Sequence, residues 1–171
     1  MGLGTDGGLY RLLLLLHILT AAVGFGAVAF NGLARMRARQ RDGEAELLLL
    51  EENAYLTRVA EYLIYAAFVF GLLVGLSSKG YWDFTQSWLS LAMLLYLVEI
   101  GVLHGIIHRA EHEYEQLLVL VNATGGEGHP EVVGQLEQLE KRIRVGWGAF
   151  DVLFLMILYL MVFTPGHVRV G

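Results

Sequence analysis

The chain has 171 residues, 56% of them hydrophobic, and a mean hydropathy of +0.53. That is too apolar for a soluble domain of this length, and the apolar residues gather into long runs, so the sequence reads as a single polytopic membrane domain. The absence of cysteine excludes disulfides, thiolate metal sites and thiol nucleophiles, and a net charge of −5 spread over the polar segments leaves no basic patch for nucleic acid.

Residues 1–9 are Gly-rich and nearly uncharged, which predicts a disordered leader. Residues 10–34, YRLLLLLHILTAAVGFGAVAFNGLA, carry no charge after Arg11 and are long enough to cross a hydrocarbon core of about 30 Å. The run lacks a basic leader and a small-residue cleavage site, so it is expected to be retained. It ends at RMRARQR, residues 35–41. Residues 42–58 read as a helix feeding a second span at about 59–76, which holds Glu61 near its start and a G-x-x-x-G pair, Gly71 and Gly75. Residues 77–87 form a short outer loop whose Tyr81 and Trp82, with Trp88, suit an interfacial aromatic belt.

The third span, 88–108, carries Glu99 at its middle and His104 and His108 near its end, and continues as RAEHEYEQLLVLV. A break at NATGGEGHP, residues 122–130, precedes a charged, Leu-spaced helix at 131–145, so residues 109–145 are predicted to form a cytosolic helical hairpin. The fourth span, 147–163, starts after KRIR, carries Asp151 in its first turns and ends at Thr164-Pro165-Gly166. Lys and Arg concentrate on one side: Arg35, Arg37, Arg39, Arg41, Arg58, Arg109, Lys141, Arg142 and Arg144, against Arg11, Lys79 and Arg169. The positive-inside rule places both termini outside the cell membrane and both long loops in the cytoplasm. The expected fold is all-α, a transmembrane four-helix bundle with cytosolic helical extensions, because helices of this length satisfy their own backbone in lipid.

An ionisable side chain is costly inside lipid and often marks a site. At about 1.5 Å of rise per residue, His17 lies roughly 10 Å below the outer boundary and Glu99 close to the midplane. Asn31, Glu61, His104 and Asp151 fall within roughly 4 to 8 Å of the inner boundary. His104 and His108, at i and i+4, project from one helix face and, with Glu61 and Asp151, make a candidate site for a divalent metal such as zinc or non-haem iron. The simpler reading has His108 at headgroup level and the carboxylates pairing with Arg58 or Arg144. His17 stands on a face continued by the small residues Ala21 and Gly24, then Val28 and Asn31. A histidine on an apolar face is the usual protein ligand of a b-type haem. Met93 lies at the matching depth for a second ligand, and His104 does so only if the helices are offset. The alternative for His17 is a hydrogen bond to Glu99, a Tyr hydroxyl or a carbonyl. Glu99 points away from the His104 face and must be neutral or partnered. The Gly71–Gly75 pair reads as helix packing.

LLHILTAAVGFGAVAF, residues 15–30, resembles the first span of a group of small membrane proteins with a leucine-histidine pair followed by an aromatic and glycines. The group includes copper-resistance D-like proteins, HemJ-type protoporphyrinogen oxidases and a family of predicted integral membrane proteins of unknown function. The last is the most similar through GWGAFDVLFLMILYLMVFTPG, residues 146–166, and the WLSLAMLLYL that opens the third span. The resemblance implies a four-helix bundle and, from the HemJ-type relatives, haem b at the His17 position. The chain has Gly24-Phe25-Gly26 where those relatives place a tryptophan before the glycine, and it adds the His104–His108 pair, so protoporphyrinogen oxidation is not carried over.

Three functions follow as expectations. The first is a membrane haem protein for electron transport, with His17 and either Met93 or His104 as axial ligands. The second is an accessory subunit whose small-residue faces pack against a partner membrane protein or a second copy. The third is a divalent-metal site or ion path through Glu61, His104, His108 and Asp151.

Overall fold

The computed structural model describes residues 4–38, 44–123 and 130–163, and within these all side chains but those of residues 29, 31–38, 44–54, 122 and 130. The elements are α1 (Gly8–Ala38), α2 (Glu44–Ser77), α3 (Ser87–Val102), a π-helical segment (Leu103–His108), α4 (Arg109–Ala123) and α5 (Pro130–Phe163). The fold is all-α, with no strand among the described residues. Four stretches are long and apolar enough to cross a membrane: Gly8–Val28, Tyr55–Ser77, Ser87–Val121 and Glu131–Phe163. The chain divides into two compact units, Met1–Phe84 and Thr85–Gly171.

The first unit is an antiparallel pair of long helices. On α2 the buried positions Ala60, Ile64, Ala67 and Val74 recur at helical spacing and form one apolar stripe. Opposite it, α1 contributes Val28 and Gly24, whose missing side chain admits Ile64 and Leu63; a Cβ there would lie 3.1 Å from the Ile64 backbone nitrogen. The outward positions of α1, Leu12, Leu15, Ile18 and Leu19, are exposed leucines and isoleucine, the composition a lipid-facing surface takes. The predicted helix at 42–58 and the second span are continuous within α2.

The open end of this pair is tied. Residues 4–7 form a turn, and the Gly4 amide donates to the Ser77 carbonyl at 2.8 Å, so this part of the expected leader is ordered by the end of α2. The chain turns back through Lys79 and Gly80, both in the left-handed region (φ 56° and 84°). Trp82 then donates its indole N–H to the Tyr10 hydroxyl at 2.9 Å and stacks edge-on with Tyr81. Residues 1–3, and Arg39 and Arg41 of the basic cluster, lie outside the described residues.

In the second unit α3, the π segment and α4 form one unbroken helical path from Ser87 to Ala123, which packs antiparallel on α5. Ala110, Leu139 and Ile143 make a small core near the polar end, with Tyr114, Leu117 and Trp147 around it. Gly146 lets α5 approach closely: a Cβ there would lie 2.8 Å from Ile107 Cγ1. The charged helix at 131–145 and the fourth span are a single helix, α5. Trp88 differs from the expected belt residue. It is buried, on the stripe it shares with Ala92, and its N–H reaches Gln86 Oε1 at 3.1 Å. Residues 124–129 of the predicted break and Thr164-Pro165-Gly166 lie outside the described residues.

Candidate functional site

His17 leans from α1 onto the backbone of α2. Its Nδ1 lies 2.7 Å from the carbonyl oxygen of Ala67. A carbonyl only accepts, so Nδ1 carries a proton, and the nitrogen that can offer a lone pair is Nε2. Gly71, one turn beyond Ala67, makes this reach possible: a Cβ on Gly71 would lie 3.0 Å from His17 Cε1 and 3.1 Å from Nδ1. The next glycine of the pair, Gly75, receives the ring of Phe84 in the same way, with a Cβ position 2.8 Å from Phe84 Cζ. The G-x-x-x-G pair is therefore two side-chain notches as well as a packing surface. Three residues after His17, Thr20 donates its hydroxyl to the Leu16 carbonyl at 2.7 Å. The His17 side chain is half-buried between the two helices.

Such an arrangement has chemical meaning. A histidine that binds a metal through one ring nitrogen normally donates its other N–H to a carbonyl or carboxylate, which fixes the tautomer and the ring plane. His17 has that second contact in place. The sequence offered a hydrogen bond to a carbonyl as one form of the alternative to haem ligation, and the structure has that bond. The sequence did not single out Ala67, because nothing in the residue pattern says which carbonyl a glycine notch exposes.

The second unit carries its polar groups along α3 and its continuation. Glu99 is completely buried, and neither carboxyl oxygen has a hydrogen-bond partner among the described residues. It lies on the buried stripe with Leu103, Ile107 and Glu111. These positions recur every fourth residue. At 100° per residue an α-helix would drift by about 40° at each step, away from a common face. The π segment at Leu103–His108 absorbs that drift and keeps the stripe facing one way. His104, off the stripe, is exposed and its ring lies 5.0 Å from that of His108, tilted by 32°. Glu111 is held by the Trp147 indole N–H at 3.1 Å, and Trp147 packs edge-on against Phe150.

Of the remaining predicted ligands, Met93 is half-buried on α3 and Asp151 is exposed on α5, next to the fully buried Phe150. Arg144, offered as a partner for Asp151, instead pairs with Glu140 at 2.9 Å. Glu61 is buried on α2, in the first unit. His104 and His108 are brought together. Among the described residues, no group of three or more His, Asp or Glu side chains is gathered as a metal ion requires. The side chain of Asn31 lies outside the described residues.

No curated protein and no solved structure matches the chain. Residues 11–165 match a family described as "Predicted integral membrane protein (DUF2269)". The match takes in His17, Gly71, Glu99 and Asp151 and most of all four apolar helical stretches. The chain belongs to this family of integral membrane proteins.

Proposed function

We propose that the protein binds a b-type haem within the membrane through His17 and serves electron transfer. The observation that carries this reading is the Nδ1–H of His17 fixed on the Ala67 carbonyl, with Nε2 left as the nitrogen that can offer a lone pair on a half-buried side chain. The first-span resemblance to proteins whose corresponding histidine is associated with haem b supports the same assignment. When bound, haem supplies one-electron chemistry, and the protein supplies an axial ligand, its orientation and an apolar setting. Ala67 holds the imidazole and Gly71 gives it room. The sequence expects Met93 or His104 as the second axial ligand, and both belong to the second unit.

In this reading the membrane is the inner cell membrane. Both termini lie outside, and the Arg- and Lys-rich ends of the helices lie in the cytoplasm. Protein expressed with ample haem and purified in detergent is expected to show sharp reduced α and Soret bands after dithionite. His17→Ala should lose them, and spectra of Met93→Ala and His104→Ala identify the second ligand. A flat spectrum from the wild type ends the haem assignment.

A further inference from the structure

We propose that Glu99 is a membrane-embedded proton site, a carboxyl that holds an exchangeable proton in the apolar seam of the second unit. Three observations converge on it. Glu99 is fully buried, and both of its carboxyl oxygens lack a hydrogen-bond partner among the described residues. Its neighbours along the buried stripe, Ala92 and Leu103, are apolar and themselves almost fully buried. No basic side chain forms an ion pair with it among the described residues. A carboxylate in such a place has no hydrogen bond and no counter-ion, and its charge is very expensive. A proton removes that charge, and the neutral acid is what this seam can hold.

The surroundings supply a route for the proton. Gly146 sits beside Ile107 in an antiparallel pair, so Asp151 falls about one helical turn from Glu99 toward the end that carries Arg109, Lys141, Arg142 and Arg144. Asp151 is exposed. Tyr159, the other titratable residue of α5 between residues 147 and 163, is exposed. On the helix of Glu99 itself, His104 and His108 of the π segment and then Glu111 continue toward the same polar end. The π segment also matters to access. Wider local winding weakens the regular backbone ladder there, and such segments concentrate at functional sites. The exchange is balanced: the carboxylate takes one proton relayed by Asp151 from water at the basic end, and releases it along the same path.

The test is infrared spectroscopy of the full-length protein in lipid, exchanged between H2O and D2O. Wild type is expected to show a C=O stretch of an isolated, protonated carboxyl at neutral pH, shifted on deuteration. Glu99→Gln, a near-isosteric change, should remove that band, and Glu61→Gln should leave it. Asp151→Asn should keep the band and slow its deuteration at least several-fold. If Glu99→Gln does not fold, carbon-13 labelling of the glutamate carboxyls in wild type should shift the band, whereas aspartate labelling should not. Absence of the band, its survival in Glu99→Gln, or its shift with aspartate labelling would overturn the assignment. Unchanged deuteration in Asp151→Asn would overturn the route.

Discussion

At Gly71 a single methyl group separates two outcomes for His17. A Cβ there would stand 3.0 Å from the imidazole, so the ring must retreat from the Ala67 carbonyl or the helices must part. Overpacking of this kind costs about 1–3 kcal/mol. Gly71→Ala is therefore expected to lower stability by that amount in a thermal melt monitored by circular dichroism in detergent, and to abolish the haem bands. Gly26→Ala is the control, because a Cβ at Gly26 meets nothing within 4 Å; it should change neither. Equal losses in the two variants would mean that the notch has no special relation to His17. His17 itself was legible from the sequence as an ionisable group in an apolar run. A carbonyl partner was one of the alternatives, but Ala67 was not singled out, since a hydrogen bond to a backbone carbonyl leaves no trace in residue type. Trp88 illustrates a different gap. Aromatic residues near a span end suit the interface, but which ones turn inward depends on the helical phase set by the neighbouring helix, and Trp88 shares its phase with Ala92.

Among the elements, the π segment decides how the second unit is built. The four apolar stretches and the continuity of each with its polar arm follow from run length and helix-forming composition, which is why they were visible in the sequence. The π segment was not, because one extra residue in a turn alters no composition. Its trace is only the four-residue spacing of Glu99, Leu103, Ile107 and Glu111, which becomes informative once those positions are known to be buried together. If the segment acts as a one-residue insertion, deleting Gly105 should restore α winding and leave both flanking stripes in phase on α5. That variant is expected to stay folded, with a melting temperature within a few degrees of wild type. Deleting Leu97, inside regular α3, should instead rotate Trp88 and Ala92 by about 100° off their seam and destabilise the protein strongly. Equal destabilisation by the two deletions would show that the segment does not set the phase.

For the whole molecule, the distribution of Lys and Arg along the chain is what sets the expected sidedness in a bilayer. The basic residues lie at the end of α1, at Arg109 where α4 starts and in the first half of α5, and the Lys79–Gly80 turn stands at the other end of the first unit. The chain has no cysteine, so single cysteines report sidedness without background. Lys79→Cys is expected to react with a membrane-impermeant maleimide in intact spheroplasts, whereas Gln116→Cys should react only after lysis. The reverse pattern would invert the topology and, with it, the side from which Glu99 exchanges its proton. The most direct test of haem ligation by His17 is chemical rescue. Wild type should contain about one haem per chain with reduced α and Soret bands, His17→Gly should lack them, and imidazole added to His17→Gly during haem reconstitution should bring them back. A wild type that takes up no haem, or a His17→Gly variant with an unaltered haem spectrum in the absence of imidazole, would contradict a haem held on the first span.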